Sequence, residues 1–441
     1  MDEHCDLLVI GAGPGGVTAA LTAASFGKKV ILVHASELGG ACLHQGTIPS
    51  KSLQASALAK RSYPEALVAL AHTKSLNKKI LEYSLEQPQI LCVQGKAVFH
   101  DEHTADIKSA GRTITAKFIL LATGSSPIHH ADIPFHLPGV FDSDAFLSLK
   151  NLPCRLLIYG AGVIGCEYAS ILAEFGAQVT LVDRRADLLR FLDPDLVEAL
   201  KRQLQGQNVN LLLSAKVENF HSQEGQLLVS LNGESTTFDA MLVCMGRNPN
   251  TAELGIEQTG LQLDPRGHIL VNPKTYQSSK QHIFAVGDVI GAPGLAGTAF
   301  EQGRIAVQQM FGRNSERKNE SLGSFPTGIY TIPELACIGK TEWDLTNDQI
   351  PFFVAQADFD QTARGILNQQ SQGFLKILVH KETQQILGVH IQGERASELV
   401  HLGQLMVQGK MTVSQIAEMV FNYPTYGELF KIAAQKCLLK A

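Results

Sequence analysis

Three features of the sequence predict its fold class. Two glycine-rich turns each stand between a strand-length apolar run and an Ala-rich helical stretch, and beyond residue 325 the pattern changes to paired strands followed by helices. Together they predict an α/β protein with two Rossmann-like dinucleotide-binding domains and a smaller C-terminal α+β domain. At ~100 to 200 residues per domain, the chain of 441 residues has room for two to four such units.

In chain order, the apolar run DLLVI (6–10) has strand length, GAGPGG (11–16) is a turn that glycine makes cheaply, and 17–26 is rich in Ala with no interior breaker. KKVILV (28–33) returns as a second strand. The same grammar recurs in RLLIY (155–159), GAGVIG (160–165), a helix through residue 175 and QVTLVD (178–183). Between the two units, PSKSLQASALAK reads as a helix, while QILCVQGKAVF, TADIKS and FILLATG read as strands joined by polar turns. FLKILVH (374–380) and ILGVHIQG (386–393) flank the polar KETQQ and read as an antiparallel hairpin. Two helices are expected after it, the second opened by a capping box in which Thr412 caps backbone amides and Gln415 reaches back. The polar stretch 312–324 is the best linker in the chain.

Composition narrows the function. With 37 Lys plus Arg against 42 Asp plus Glu, the net charge of -5 gives no electrostatic reason to expect nucleic acid or an anionic membrane as partner. No apolar run approaches the ~18 residues of a membrane span. The start, MDEHCDLLVIGAG, lacks the basic region and cleavage site of a signal peptide, so a cytoplasmic protein is expected. The eight cysteines are scattered and include no C-x-x-C, which suggests neither a disulfide framework nor a zinc site, and no metal is expected.

The chemistry starts from G-x-G-x-x-G, present as Gly11, Gly13, Gly16 and again as Gly160, Gly162, Gly165. The first glycine makes the tight turn, the second lets backbone approach a pyrophosphate and the third lets helix pack on strand. An acid is expected some 20 residues further on, to hold the adenosine ribose. Asp183 stands there in the second unit, but the equivalent position in the first is His34. A neutral imidazole accepts one hydrogen bond and lacks the charge of a carboxylate, so either His34 makes a weaker contact or nearby Glu37 substitutes. Beside Asp183, Arg184 and Arg185 could bind a 2′-phosphate or form a solvated turn; dual use of NAD(H) and NADP(H) follows from the first reading.

GGACLHQGTIPSK (39–51), ATGSSP (122–127), GRNPN (246–250), VGDV (286–289) and FNYPT (421–425), in this order, resemble the pyridine nucleotide-disulfide oxidoreductase superfamily. The resemblance implies a dimeric FAD enzyme, with flavin on the first unit, NAD(P) on the second and a C-terminal interface domain. It divides the chain into an FAD domain (1–150 and 272–325), an NAD(P) domain (151–271) and a dimerisation domain (326–441). It implies FAD contacts from Gly40, Cys42, Lys51, Ala97, Thr123, Gly124, Gly287 and Asp288 besides the first glycine loop, and NAD(P) contacts from Glu167 and Gly246 besides the second. Lys51 and Glu167 are implied to approach each other beside the flavin, the lysine stabilising negative charge and the acid keeping it paired.

Two departures from the superfamily pattern sharpen the function. Disulfide-reducing members read C-x-x-x-x-C where this chain has Cys42 and Thr47, and carry His-Pro where it has Tyr423-Pro424. Threonine forms no disulfide, and tyrosine, with an ordinary pKa ≈ 10, is a poor base at neutral pH. The C-x-x-x-G-T-I-P-S-K and F-N-Y-P-T forms resemble the soluble pyridine nucleotide transhydrogenases, which implies hydride exchange between NADPH and NAD⁺ with flavin as the only redox relay. Cys42 then reads as an inert thiol beside the flavin, or alternatively as a reactive one. A flavin reductase with another acceptor (a quinone, oxygen or a small electrophile), a dihydrolipoamide dehydrogenase-like paralogue and a non-catalytic nucleotide-binding protein are the alternatives.

Overall fold

The computed structural model describes residues 2–312 and 325–440. The expected linker therefore lies, beyond Gly312, outside the described residues. Both glycine units form. The strand Asp2–Ile10 turns through Gly11 into helix Pro14–Ser25, and Arg155–Tyr159 turns through Gly160 into helix Val163–Glu174. The first helix begins three residues before the expected 17, because Pro14 enters at the first turn, where its missing N–H costs nothing.

The first sheet runs Ile90–Gln94, Val30–His34, Asp2–Ile10, Arg112–Leu121, Thr104–Ile107 and Ala97–Phe99, with Ile283–Ala285 beside the end of Arg112–Leu121. Val9 stands opposite Leu32 on one side and Leu120 on the other, all parallel. Leu7, Leu8 and Val9 are fully buried, the unbroken apolar pattern of a sheet covered on both faces. The second sheet, Asn210–Leu212, Gln178–Val182, Arg155–Tyr159, Ala240–Val243 and Val140–Asp142, is parallel throughout. Its last strand enters before residue 150, while Leu254, Ile256, Leu261 and Ile269 already pack into the core of the first sheet before residue 272.

A three-stranded antiparallel sheet, Val217–Gln223, Gln226–Leu231 and Glu234–Phe238, was not expected. Two of its strands are largely exposed and polar, so they carry little apolar signal. A two-stranded ribbon pairs Ser125–Pro127 with Arg247–Pro249 and brings the ATGSSP and GRNPN motifs together between the two units.

The C-terminal domain is a five-stranded antiparallel sheet in the order Thr327–Ile329, Glu334–Gly339, Ile386–Gly393, Phe374–His380, Phe352–Asp358. The hairpin of Phe374–His380 and Ile386–Gly393 has the bounds read from the sequence. Helices Ala396–Gln408 and Val413–Glu418 follow, the second with the Thr412/Gln415 capping box, and a third, Glu428–Leu438, adds to the expected two. That third helix buries Leu429, Phe430, Ala433, Ala434 and Cys437, the spacing of one helical face. Lys376 locks this domain to the nucleotide-binding part of the chain. It is fully buried, and its Nζ lies 2.6 Å from Asp193 and 2.6 Å from Asp195, with Glu342 as a third partner. No helix among the described residues is long and apolar enough to cross a membrane.

Candidate active site between the two glycine units

At the first and last glycine of each loop only a residue without a side chain fits. Gly11 has φ +108, and a Cβ there would stand 2.2 Å from the carbonyl oxygen of Ala122; a Cβ on Gly16 would stand 1.8 Å from that of Gly11. Gly160 (φ +111) and Gly165 repeat both contacts, at 2.5 Å from Cys244 O and 1.9 Å from Gly160 O. The middle glycines differ: a Cβ on Gly13 or Gly162 would meet nothing within 4 Å. Both line one continuous cleft of ≈ 1990 Å³ that joins the two units. The helices behind them start with no side-chain cap and no acid in the first turn, so their N-terminal amides are left for a ligand anion. Two dinucleotides with their pyrophosphates on these loops fit this arrangement.

Lys51 and Glu167 meet in this cleft. Helix Thr47–Leu58 carries the lysine and helix Val163–Glu174 the acid, so two rigid elements fix the pair. Lys51 Nζ donates to Glu167 Oε2 at 2.8 Å and to Oε1 at 3.0 Å, and lies 4.4 Å from the centre of the Tyr330 ring. The Tyr330 N–H donates to Glu167 Oε1 at 2.9 Å, which ties the C-terminal domain to the same pair. Glu167 is nearly buried while Lys51 keeps a quarter of its side chain exposed, so the charge is held dry on one side and open to the cleft on the other.

Cys42 and Thr47 line the cleft beside this pair. All eight cysteines are unpaired. Burial pushes the Cys42 thiol up from its ordinary value, against the opposing effects of a hydrogen bond from Thr47 and the charge of Lys51. A thiol held protonated in this way is a weak nucleophile, which favours the inert reading. Tyr423 lies elsewhere: it is exposed and does not line the cleft of its own chain.

Gly40, Ala97, Thr123, Gly124, Gly287 and Asp288, the FAD contacts expected from the resemblance, all line the cleft. Ser125 Oγ donates to Asp288 Oδ2 at 2.6 Å and accepts from Arg247 Nε at 2.9 Å, so Arg247 orients Asp288 through the serine. Gln302 accepts from the Gly287 N–H at 2.8 Å, and Asn250 brackets Thr123 through two hydrogen bonds. Arg247, Ser125, Gln302 and Tyr330 were not singled out from sequence, although Ser125 and Arg247 stand inside the ATGSSP and GRNPN motifs. His34 and Glu37 both line the cleft. The His34 Nδ1 faces the Ser36 carbonyl at 2.5 Å and must therefore donate, which in the neutral ring leaves Nε2 as an acceptor; Glu37 is taken by Lys78 at 2.8 Å.

At the second unit, Asp183 is buried and fully engaged. The Ala161 N–H donates to its Oδ2 at 2.7 Å, and Arg185 holds both oxygens through Nε and Nη2 at 3.0 and 2.8 Å. Burial alone would raise its pKa, but these donors hold the carboxyl below the usual range. Arg184 turns the other way, donating to the Tyr159 hydroxyl and to Asp132 at 2.7 Å. Gly246 (φ +103) lines the cleft opposite.

Comparison with known proteins agrees with this architecture. The pyridine nucleotide-disulphide oxidoreductase profile matches residues 5–303, and the dimerisation domain of the same family matches 325–434. The soluble pyridine nucleotide transhydrogenase of Colwellia psychrerythraea is 40% identical over 97% of both chains, and that of Klebsiella pneumoniae 38% identical over the same shares. The solved HOCl-induced flavoprotein disulfide reductase RclA from Escherichia coli superposes with a TM-score of 0.93 at 26% identity, covering 98% of this chain and 99% of that one. Glycine loops, cleft and matched profiles agree: the chain belongs to the pyridine nucleotide-disulphide oxidoreductase family.

Proposed function

We propose that the protein is an FAD-dependent oxidoreductase that exchanges hydride between NADPH and NAD⁺. The observation that carries this reading is a single cleft joining two glycine loops, with Lys51 and Glu167 paired inside it and Thr47 where a second redox cysteine would be needed. The transhydrogenase names of its relatives support it.

Bound FAD would supply the hydride relay between successive nicotinamides. The chain's own residues do the rest. Gly11, Gly13 and Gly16 with the amides of helix Pro14–Ser25 hold one pyrophosphate, and Gly160, Gly162 and Gly165 with helix Val163–Glu174 hold that of the incoming nucleotide. His34, with Nε2 not used by Ser36, would hold the flavin-side ribose, and Asp288, steadied by Ser125, would hold the ribityl chain. Lys51 places positive charge where negative charge gathers during reduction, and Glu167 holds it there. NADPH gives up hydride and leaves as NADP⁺; NAD⁺ then binds the same loop and leaves as NADH.

The division read from the motifs, an FAD domain in two stretches around an NAD(P) domain, supports this assignment of the loops. On the C-terminal domain Leu405 (67%), Val420 (94%), Tyr423 (69%) and Leu439 (89%) stand exposed, and a second copy covers them in a homodimer. The net charge of -5 supports a protein that binds no nucleic acid. Eight unpaired cysteines suit the reducing cytoplasm, where both nucleotides are available. An anaerobic assay of NADH formation from NADPH and NAD⁺, run beside dihydrolipoamide and quinone as alternative reactants, tests the reading. Turnover with one of these and none between the nucleotides would replace it.

A further inference from the structure

We propose that Asp132 sets the nucleotide preference of the second unit, by holding Arg184 away from the adenosine 2′ position. The inference rests on the reading that this unit binds NAD(H) and NADP(H) in turn.

Both arginines that could meet a 2′-phosphate already have protein partners. Arg185 forks onto Asp183, an arrangement internal to the end of one strand. Arg184 is held by residues from two other places. Its Nε donates to the hydroxyl of Tyr159, the residue before Gly160, and its guanidinium lies 5.6 Å from the centre of that ring. Its Nη2 donates to Asp132 at 2.7 Å, 52 residues earlier in the chain. Asp132 stands in the irregular segment that leads from the first unit into the strand Val140–Asp142. Arg184 and Tyr159 line the cleft and Asp132 does not.

The two nucleotides differ here by one group. A phosphate on the ribose carries about -1.5 to -2 charges and seeks the forked N–H pairs of a guanidinium. Asp132 opposes it twice: it occupies part of the Arg184 fork, and it adds a like charge beside the incoming anion. The ribose hydroxyl of NAD(H) is neutral and gains little from Arg184, so it loses little to Asp132. Asp132 thus acts as a positioning residue that weakens one partner without touching the other. Both members of the Arg184–Asp132 pair are more than half exposed, so the effect is modest, as suits a site that must release NADP⁺ before taking NAD⁺.

The test is Asp132→Asn in the flavin-loaded protein, with rapid-mixing rates of flavin reduction by NADPH and by NADH measured at low and high salt. The expected result is a rise of roughly two- to fivefold in the NADPH/NADH ratio of second-order rate constants, carried by tighter NADPH binding. The gain shrinks at high salt, and Arg184→Ala in the same background abolishes it. Asp132→Ser moves the ratio in the same direction and stands in if the asparagine variant folds poorly. A ratio that stays put, or equal changes for both nucleotides, overturns the inference while leaving the proposed function intact. Failure of either nucleotide to reduce the flavin of the unsubstituted protein overturns both.

Discussion

Replacing Lys376 by Met removes the cation that, among the described residues, sits between Asp193, Asp195 and Glu342, and keeps the apolar stem. Lys376 and Asp193 are both fully buried, 2.6 Å apart. Asp193 also caps helix Pro194–Gly206 by accepting from the Asp195 N–H, and accepts the Glu342 N–H at 3.1 Å, so it cannot turn outward to water. Losing one partner of such a pair leaves a buried charge uncompensated, which costs about 3 to 5 kcal/mol. At ~2 °C per kcal/mol, the lower end for larger domains, the Tm falls by about 6 to 10 °C. Calorimetry of the flavin-loaded protein at neutral pH reads this, and adding Asp193→Asn should recover part of the loss. A Tm within about 2 °C of the parent would refute the reasoning, because the three carboxylates would then be shown to need no counter-charge.

The other predictions concern the site and its surroundings. Glu167→Gln removes the charge that holds Lys51 but keeps an acceptor for Tyr330; flavin reduction by NADPH should slow by about 10- to 100-fold while FAD stays bound, as judged by the absorbance spectrum. Cys42→Ser should keep at least about a third of the exchange rate, a barrier change well under ~1.4 kcal/mol, and near-total loss would mean that the thiol takes part. His390 is buried, and desolvation outweighs the nearby Asp193 to push its pKa down. Its contribution to stability is therefore present above the ordinary histidine value of about 6.5 and is lost as pH falls below it. His390→Asn should flatten the acid limb of a plot of Tm against pH, and an unchanged limb would assign it to other groups.

The parts of the site legible in the sequence are those made by neighbours. Gly11, Gly13 and Gly16 are constrained by a strand before them and a helix after them, so their spacing alone carries the geometry. The hairpin 374–393 is legible for the same reason: apolar runs of strand length flank a polar turn. Contacts between distant residues have no local period to betray them. Arg247 reaches Ser125 across 122 residues and Ser125 reaches Asp288 across 163, a chain that only the folded ribbon between the units creates. Lys51 and Glu167, 116 residues apart, were legible solely through their motifs. The ribose question at His34 needed the ring's hydrogen bond to Ser36 before the free nitrogen could be named.

In the proposed function the flavin passes hydride between nicotinamides with no cysteine pair in between. Double mixing tests it most directly: oxidised protein meets one equivalent of NADPH without oxygen, and after the flavin bleaches, NAD⁺ is added. The oxidised flavin spectrum should return as NADH forms in equal amount, and should do so in Cys42→Ser as well. Flavin that stays reduced in the presence of NAD⁺ would contradict it.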